Sequence, residues 1–566
     1  MIPIVRRVVP VNVQALVDAG VPSILARVYA ARGIESTAEL EIGLAALPTF
    51  ESLSNIDAAV DRLIHAIDVG ERIVIVADYD ADGATACAIA LEGLRGFGAN
   101  VDFIVPNRFE YGYGLTPEIV ALAANRNAEL IITVDNGIGS VEGVAAAKAR
   151  GIDVLVTDHH LPGATLPDAI IVNPNQVGCA FPSKNIAGVG VMFFVLAALR
   201  AGLRRSGAFA RSREPNLGAL LDLVALGTVA DVVRLDHVNR ILVAQGLARI
   251  RSGHAHPGVQ ALFSVAGRDV GRATAFDLGF VAGPRLNAAG RLADMSLGIR
   301  CLLARSSAEA APLAAELDAL NRERREVERT MQDEALNDLE VIEGTTGADA
   351  FTLCVYRPEW HQGVVGIVAS RLKDRYHRPA IVFARGAGGE LRGSGRSIGG
   401  FHLRDGLDLV TKRAPGIIRR FGGHAFAAGL TIEEAALPTF AAAFEAVARD
   451  SLTPAHLRRS FETDGLLSSG ELTFAFAKSL QLSVWGQGFP APAFDDVFDV
   501  VSQRMVADKH LRLSLGRDGE RFDAIAFQQT VPLPPRIRAA YRPEVHEWQG
   551  LEGLELVVEH WLPITN

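Results

Sequence analysis

Short apolar runs alternate with helix-length stretches from residue 72 onward. The runs are four to six residues long, are rich in Val and Ile, and cover residues 72–77, 101–105, 129–134, 152–156 and 169–172. Most of them are separated by stretches long enough for a helix, such as 84–96 and 140–150. Fully apolar strands separated by helices are typical of a parallel sheet that is covered on both faces. The pattern therefore predicts a doubly wound α/β domain.

A helical region, roughly residues 186–300, precedes a more regular stretch at 306–342. That stretch contains no Gly and only one early Pro, Pro312, and its apolar residues recur at roughly helical spacing. It predicts a single helix, which at about 30 residues would be roughly 45 Å long. Such a helix either packs on a surface or connects two domains. We favour the connecting helix, because new α/β runs begin beyond it.

The C-terminal part of the chain divides into a second α/β region and a β-rich region. Runs such as 351–355 and 380–383 lie within residues 350–450, and short, partly alternating runs separated by turn residues follow from about 460. A β-rich segment of about 100 residues is typical of an OB-like barrel, a common single-strand-binding module. Basic residues near its strands are Arg504, Lys509, His510 and Arg512. The predicted organisation is an N-terminal segment 1–50, an α/β domain 51–245, a helical extension 246–305, a connecting helix 306–342, a second α/β domain 343–452 and an OB-like domain 453–566.

Composition excludes several classes of protein. Hydrophobic residues make up 49% and charged residues 21% of the chain, which is an ordinary globular profile. No stretch is long and apolar enough to span a membrane, and the N-terminus has no secretory-signal pattern. The four cysteines lie far apart, which argues against a zinc ribbon or a disulfide framework and predicts a cytoplasmic protein. Because the net charge is −9, any nucleic-acid site must be a local basic patch.

Acidic residues follow three of the predicted strands. They form the groups Asp78-Tyr79-Asp80-Ala81-Asp82, Asp135-Asn136 and Asp158-His159-His160. The carboxyl ends of the strands form the ligand crevice of a doubly wound sheet, so these side chains are expected to converge. A single Asp after a strand is usually a helix cap, but so many acids together repel one another unless a cation lies among them. Oxygen ligands with one or two imidazoles and no thiolate suit Mn²⁺ or Mg²⁺, and Asp231, at the end of an apolar helix, is a further candidate.

These residues resemble a known family. The segments DYDADGAT (78–85), TVDNGIGS (133–140), TDHHLPG (157–163) and ALGTVADVV (225–233) resemble the four motifs of the DHH phosphoesterase superfamily. Within it, VPNRFEYGYGL (105–115), AGVGV (187–191), GPRLNAAGRL (283–292), WHQGVVGIVASRL (360–372), GSGRS (393–397) and FGGHAFAAGL (421–430) resemble the RecJ exonucleases. The resemblance extends from about residue 70 to near the C-terminus. It implies a DHH catalytic domain, a DHHA1 domain and an OB domain, in that order.

The resemblance also implies roles in metal binding and catalysis. The implied metal ligands are Asp80, Asp82, Asp135, His159 and Asp231. Asp135 and Asp78 are implied catalytic residues, with Asp78 beside the metal directly or through water. His160 is implied to contact the substrate phosphate or to act as an acid or base, whereas Asp158 is a structural residue and Asp222 is a weaker rival of Asp231. Four carboxylates would balance two divalent ions, although one tightly held ion with a second recruited by substrate fits equally well.

Substrate contacts are expected in three segments. Arg108 either clamps a terminal phosphate or pairs with Glu110, and Arg285 and Asn287 are similar candidates. Phe109, Tyr111 and Tyr113 either stack on bases or pack in the core. Residues 385–425 carry eight basic residues against three acidic ones, which indicates a phosphate track or a solvated basic face. The candidates in the second α/β domain are Ser394, Arg396 and His424, with His361 and Gln362 expected in the wall of a groove that faces the metal site.

The implied function is a metal-dependent exonuclease that degrades single-stranded DNA 5′→3′ to mononucleotides in recombination and repair. The polarity comes from the resemblance alone. A small-substrate phosphodiesterase of the same superfamily would not need the barrel, and a non-catalytic scaffold would lack the metal-binding acids. The expected partners are single-stranded DNA and, by resemblance, a single-strand-binding protein and a helicase, with no membrane. Removal of the chain beyond about residue 455 is expected to leave a nuclease that binds strands more weakly.

Overall fold

The computed structural model describes residues 2–106, 111, 114–163, 165–210, 213–346, 350–423, 426–468, 470–548 and 551–564. The chain forms two compact units. The large unit combines Val5–Asn321 with Glu462–Asn566, and the small unit combines Met1–Ile4 with Arg322–Phe461. The barrel-forming end of the sequence therefore belongs to the same compact unit as the first α/β domain.

A five-stranded parallel sheet is the centre of the large unit. A short N-terminal part, β1 (Ile4–Arg6), α1 (Val13–Asp18) and α2 (Ser23–Ala30), precedes it. The sheet and its helices are α3 (Ile56–Val69), β2 (Arg72–Ala77), α4 (Ala81–Gly96), β3 (Asn100–Ile104), α5 (Pro117–Ala124), β4 (Leu130–Val134), α6 (Val141–Lys148), β5 (Asp153–Thr157) and β6 (Ile170–Val172). The strand order is β3-β2-β4-β5-β6, and all pairings are parallel. This confirms the predicted doubly wound domain, with strand ends that differ from the prediction by at most one residue.

Both faces of this sheet are buried, as the unbroken apolar runs predict. Ile73 and Ile75 of β2 share an apolar core with helices α3 and α4. Val74 and Val76, which point to the other face, share a second core with helices α5 and α6. Alternate residues of one strand thus enter different cores, which is why residues 73–77 of β2 are all apolar.

Helices follow the sheet as far as residue 346. They are α7 (Gly188–Arg205), α8 (Leu221–Ala230), α9 (His237–Arg251), α10 (Pro257–Val265), α11 (Ala275–Asp277), α12 (Gly283–Leu292), α13 (Ser296–Leu302) and α14 (Ser307–Thr346). Helix α14 has 40 residues and includes Pro312 near its start. It confirms the prediction of one long helix, and it begins in the large unit and ends in the small one.

The small unit contains a mixed sheet. Its elements are β7 (Leu353–Tyr356), α15 (Val365–Tyr376), β8 (Ala380–Arg385), β9 (Glu390–Arg396), α16 (Leu403–Arg413), β10 (Ile418–Gly423), β11 (Ala427–Glu433) and α17 (Leu437–Ser451). The strand order is β10-β11-β9-β8-β7, in which only β7 and β8 are parallel. The predicted second α/β region is confirmed.

A closed five-stranded barrel ends the chain. After β12 (Phe461–Thr463) and α18 (Phe474–Leu482) come β13 (Phe494–Val506), β14 (His510–Arg517), β15 (Glu520–Ala526), β16 (Arg536–Trp548) and β17 (Leu551–Pro563). The barrel order is β13-β14-β15-β17-β16, and only β15 and β17 are parallel. The OB-like prediction is confirmed, but the sequence pattern does not reveal β16. That strand contains Pro543 and several charged residues, and it is ordered by pairing with β13 and β17.

Candidate metal centre

Three neighbouring strands end side by side, and an acid follows each of them. The register pairs Ala77 of β2 with Val134 of β4, and Val134 with Thr157 of β5. The next residues are therefore Asp78, Asp135 and Asp158, which lie at one edge of the sheet. Asp135 has a φ of 62°, a left-handed conformation that Asp and Asn tolerate better than most residues. The predicted convergence of the strand ends is present in the fold.

The first motif is ordered by capping. The Asp80 side chain accepts hydrogen bonds from the backbone N–H groups of Asp82 (2.9 Å) and Gly83 (3.0 Å), and so caps helix α4. Gly83 is needed because a Cβ there would lie 2.6 Å from the carbonyl oxygen of Asp78. The turn from β2 into α4 thus brings three acids close together.

Asp82 is fully buried at the N-terminus of helix α7. Its two carboxylate oxygens accept hydrogen bonds from the backbone N–H groups of Gly188 (2.6 Å) and Val189 (2.9 Å). The N-terminus of a helix stabilises a nearby negative charge. The AGVGV segment that opens α7 is therefore part of the centre, a role that its apolar composition did not reveal.

Two glycines allow this close packing. A Cβ on Gly188 would lie 2.6 Å from Cβ of Asp135, and a Cβ on Gly227 would lie 2.1 Å from Oγ1 of Thr85 and 3.0 Å from Oδ1 of Asp82. Helices α7 and α8 can approach the acids only because these side chains are absent. The glycines in AGVGV and ALGTVAD would have been the sequence signal for this approach.

Asp158 orients the histidine pair. It accepts hydrogen bonds from the backbone N–H groups of His159 (2.7 Å), His160 (3.0 Å) and Ile138 (2.9 Å), and its Oδ1 lies 2.8 Å from Nδ1 of His160. Burial opposes ionisation of Asp158, but its contact with His160 holds the pKa of the carboxyl below the ordinary value. Burial lowers the pKa of His160, yet the hydrogen bond to Asp158 outweighs it and raises that pKa to about 9. His160 is therefore a cation at neutral pH.

Two asparagines that sequence reasoning missed hold the same pair. The side-chain amide of Asn173 donates to the carbonyl oxygen of His160 (2.9 Å), and that of Asn175 donates to the carbonyl oxygen of His159 (2.5 Å). Both follow strand β6, in the segment NPNQ. Polar residues after a fourth strand end were the available signal.

His159 points into the acid cluster. Its Nε2 lies 3.1 Å from Oδ1 of Asp135 and 3.4 Å from Oδ2 of Asp231, which caps the C-terminus of helix α8. Burial and the neighbouring His160 lower the pKa of His159, so it is neutral and able to offer a lone pair. The two adjacent histidines thus differ in both charge and direction.

Three overlapping groups of side chains place their donor atoms within 4.8 Å of one another. The groups are Asp82 with His159 and Asp231, Asp78 with Asp80 and Asp135, and Asp135 with His159 and His160. Asp135 and His159 each belong to two groups. All the predicted metal ligands are therefore brought together.

The donor set fits a divalent cation. Burial and the nearby acids Asp231 and Asp80 raise the pKa of Asp82 to about 7, and burial and Asp80 raise that of Asp231 to about 8. Burial, together with the nearby acids Asp82 and Asp80, also raises the pKa of Asp135. Nε2 of His159 and Oδ2 of Asp231 are buried, and neither has a hydrogen-bond partner within the part of the chain that the structure describes. A hard cation would offset the repulsion and satisfy both atoms.

Asp222 lies outside these groups. It accepts from the backbone N–H of His256 (2.6 Å), and its Oδ2 lies 2.8 Å from Nδ1 of that imidazole. Nε2 of His256 in turn lies 3.0 Å from Glu92 of helix α4. Asp222 therefore ties α8 to the start of α10, and Asp231 is the acid of this segment that lies with the metal-ligand groups.

Arg285 and Asn287 are occupied by contacts within the large unit. Arg285 is 8% exposed, pairs with Asp318 (2.8 Å) and donates to the carbonyl oxygen of Val281 (2.7 Å). The side-chain oxygen of Asn287 accepts from the backbone N–H of Ala81 (2.7 Å) at the start of α4. These contacts position helix α12 and the first motif. A substrate role for either residue stays a prediction.

In the small unit, Ser394 and Arg396 lie side by side on strand β9. Nη1 of Arg396 donates to Oγ of Ser394 (3.2 Å) and to the carbonyl oxygen of Gly395 (2.8 Å). A Cβ on Gly366, in the first turn of α15, would lie 2.9 Å from Oγ of Ser394 and 3.2 Å from Nη2 of Arg396. Burial lowers the pKa of Arg396, and no described carboxylate lies within ion-pair distance of it.

The remaining residues that were predicted to contact the substrate lie in several parts of the chain. Arg108, Phe109, Tyr113 and His424 lie outside the described residues, whereas Tyr111 packs against the core of the α5–α6 face. His361 accepts from the backbone N–H of Gly363 (3.1 Å), and Gln362 donates to the carbonyl oxygen of Arg385 (2.6 Å).

On the barrel, Arg504 and Lys509 are exposed, and Arg512 pairs with Glu555 at 3.2 Å. His510 accepts from the backbone N–H of Gln528.

The fold and the metal-ligand groups define the class of protein as a metal-dependent phosphoesterase of the DHH type. Family models match the chain over three ranges: the DHH family, N-terminal domain at 72–228, the DHHA1 domain at 349–450 and the RecJ OB domain at 463–560. None of the described helices is both long enough and apolar enough to cross a membrane.

Curated relatives are similar over almost the whole chain. The single-stranded-DNA-specific exonuclease RecJ of Dickeya dadantii is 50% identical over 556 residues, covering 96% of each chain. RecJ of Escherichia coli is 48% identical over 566 residues, covering 98% of each. The crystal structure of RecJ in complex with Mn²⁺ from Thermus thermophilus superposes with a TM-score of 0.81 at 30% identity, covering all of this chain and 80% of the other. The same protein has also been solved with Mg²⁺. The chain belongs to the RecJ family of single-stranded-DNA-specific exonucleases and is therefore an enzyme.

Proposed function

We propose that the chain is a metal-dependent exonuclease that degrades single-stranded DNA 5′→3′ to mononucleotides in recombination and repair. The observation that carries this proposal is the set of three overlapping donor groups at one edge of the parallel sheet. The relatives that cover nearly the whole chain are named as single-stranded-DNA-specific exonucleases, which supports the substrate class. Polarity and product follow from family membership.

Two divalent ions, Mn²⁺ or Mg²⁺, fit the donor groups. Asp82, His159 and Asp231 would hold one ion, and Asp78, Asp80 and Asp135 would hold the other. Asp135 would also contribute to the first ion, since its Oδ1 lies 3.1 Å from Nε2 of His159. Bound there, the ions supply Lewis acidity to the phosphoryl group and to the attacking water. The chain itself keeps His159 neutral and the carboxylates close together.

His160 is proposed to act on the substrate phosphate. Asp158 holds its Nδ1 at 2.8 Å and raises its pKa to about 9, so the imidazole carries its proton at neutral pH. A cation beside the donor groups stabilises negative charge that develops on the phosphoryl oxygens. It is also positioned to give a proton to the departing 3′ oxygen, which restores a hydroxyl on the released mononucleotide.

Arg396 and Ser394 are proposed as phosphate contacts in the small unit. Arg396 is half-buried beside the first turn of α15, and a guanidinium in this position without an ion pair to a described carboxylate is suited to receive an anion. Arg108 and His424 are proposed for the same task on the basis of the family resemblance. The single-strand-binding protein, the helicase and the cytoplasmic location stay predictions of that resemblance.

Digestion of an oligonucleotide that is labelled separately at each end tests the proposal. With Mn²⁺ present, the 5′ label should appear in mononucleotides first, while the 3′ label stays on progressively shorter strands. A duplex of the same sequence should resist digestion, and EDTA should stop the reaction. Early release of the 3′ label would refute the polarity, and equal digestion of the duplex would refute the substrate class.

A further inference from the structure

The backbone directly after Asp231 is strained. Val232 has a φ of 61°, and its side chain is 62% exposed. A β-branched residue in the left-handed region is a genuine outlier, and such a conformation persists only where its surroundings hold it. Val232 directly follows Asp231, one of the acids of the donor groups, so the backbone on the C-terminal side of that acid is strained.

The segment beyond Val232 is held by a turn that belongs to the C-terminal part of the chain. We call residues 485–489 the barrel-entry turn, since strand β13 begins five residues later. The backbone N–H of Leu235 donates to the carbonyl oxygen of Gln487 at 2.8 Å. Leu235 is 3% exposed, and a Cβ on Gly486 would lie 2.7 Å from its Cδ1. A side chain at position 486 would therefore force the end of the Leu235 side chain to move.

The barrel-entry turn is itself rigidly anchored. Gly486 and Phe489 exchange backbone hydrogen bonds of 2.9 and 3.1 Å, and the rings of Trp485 and Phe489 stack with centroids 5.3 Å apart. The guanidinium of Arg240, on helix α9, lies 4.4 Å from the centroid of the Phe489 ring. Arg32 donates to the carbonyl oxygen of Pro490 at 2.6 Å and pairs with Asp464. These contacts tie the turn to the N-terminal part, to α9 and to the approach to the barrel.

We propose that the barrel-entry turn is a positioning element for Asp231. The turn fixes Leu235, four residues after Asp231. This keeps Val232 in its strained conformation, which in turn directs the Asp231 carboxylate toward His159. A loosened turn would let Val232 relax to an ordinary conformation, and the Asp231 carboxylate would turn away from the donor group it shares with Asp82 and His159. The inference rests on the proposed role of Asp231 as a metal ligand. Under this proposal, the affinity for Mn²⁺ depends on residues 485–489, which are far in sequence from the motifs that carry the metal ligands.

Replacing Gly486 with alanine is the direct test. The new methyl group would press on buried Leu235, so Gly486→Ala should weaken Mn²⁺ binding by about tenfold, the scale that is typical when a residue supporting a metal ligand is changed. Isothermal titration of the full-length protein with Mn²⁺ measures this. Binding of a long oligonucleotide in EDTA should stay unchanged, because the turn is not proposed to touch the strand.

Two matched variants separate positioning from general damage. Gly553→Ala adds the same methyl group on strand β17 of the barrel, where nothing lies within 4 Å, and should leave Mn²⁺ affinity unchanged. Leu235→Val, which shortens the side chain that is struck, should restore much of the affinity in the Gly486→Ala background. If Gly486→Ala fails to fold, Phe489→Leu loosens the turn through the lost ring contacts and is expected to weaken Mn²⁺ binding in the same way.

Each outcome of these titrations either supports or refutes the positioning role of the barrel-entry turn. Unchanged Mn²⁺ affinity in a folded turn variant, or an equal loss in Gly553→Ala, would overturn the positioning role. A failure of the proposed function has a different signature, because wild-type protein would then bind no Mn²⁺ or would show no nuclease activity. Weakened Mn²⁺ binding together with rescue by Leu235→Val would support the proposal.

Discussion

Asp135 is the residue whose replacement tests the metal centre most directly. It belongs to the donor group with Asp78 and Asp80, and its Oδ1 lies 3.1 Å from Nε2 of His159 in the other proposed ion site, so its loss should weaken the binding of both ions. The substitution to make is Asp135→Asn, because Asn tolerates the left-handed backbone at this position, whereas Ala would add strain. The expected result is a folded protein without detectable exonuclease activity.

The size of the effect follows from ligand linkage. An ion present at roughly 100-fold above its Kd stabilises the protein that binds it by about 2.7 kcal/mol. The large unit combines Val5–Asn321 with Glu462–Asn566. At about 2.1 cal/mol/K of unfolding entropy per residue, the stabilisation of such a large unit corresponds to a rise in Tm of roughly 3 °C. Wild-type protein should show such a rise on addition of Mn²⁺, and the Asn variant should show almost none. In EDTA the variant should melt at a higher temperature than wild type, since burial and neighbouring acids raise the pKa of Asp135 and make its ionisation costly.

Thermal melting in EDTA and in Mn²⁺, circular dichroism and the end-label nuclease assay together check this prediction. Dichroism shows whether the variant is folded, which separates lost chemistry from lost structure. A folded Asn variant that kept more than a few per cent of the activity, or the full Mn²⁺-dependent rise in Tm, would refute the assignment of Asp135.

The remaining predictions concern the histidine pair, pH and truncation. His159→Ala should reduce both Mn²⁺ affinity and turnover, whereas His160→Ala should mainly slow turnover; equal losses of affinity in calorimetric titrations would contradict this division. The pKa of Asp82 is raised to about 7 and that of Asp231 to about 8, so the folded metal-free protein binds more protons than the unfolded chain between about pH 4 and 8. Its stability should therefore fall as pH rises through that window, and saturating Mn²⁺ should flatten or reverse the trend in urea melts. Cutting the chain before about residue 455 should give a protein that is poorly folded and has lost Mn²⁺ binding, and a well-folded truncated nuclease with native Mn²⁺ affinity would contradict this.

The sequence predicts the centre well where the chemistry lies at strand ends. The apolar runs predict where the buried strands end, and Asp78 and Asp135 follow two of these ends. Because parallel strands in register end at one edge of the sheet, the two acids are predicted to lie close together. Sequence reasoning fails where the partner is a backbone group or an absent side chain. The N–H groups of Gly188 and Val189 that bind Asp82, and the space at Gly227, are marked in the sequence only by glycines, which do not show the acids that they approach. They become visible only when helices α7 and α8 are packed against the acids.

The same limit affects substrate residues. Arg285 has the residue type and motif of a phosphate contact, yet the structure pairs it with Asp318, thirty-three residues further along the chain. Asp222 and Asp231 look alike in sequence, and only the position of His256 shows that Asp222 serves helix packing. A charged residue acquires its role from the partner that folding brings to it, and a linear motif does not contain that partner.

The domain boundaries that the sequence pattern predicts differ from the two compact units of the structure. The difference determines which variants can separate the functions of the enzyme. In the sequence, the metal motifs end at Asp231 and the barrel begins beyond residue 460. This separation predicts that the metal centre stays functional when the barrel is removed. The structure joins them: Arg32 forms a buried pair with Asp464 at 2.7 Å, and Leu235 is fastened to the barrel-entry turn. Removing one partner of a buried pair leaves an uncompensated charge, and removing the turn exposes Leu235 and frees the strained Val232. Strand binding and metal chemistry are therefore better separated by point substitutions on the outer barrel surface, such as at exposed Arg504 and Lys509, than by deleting the barrel.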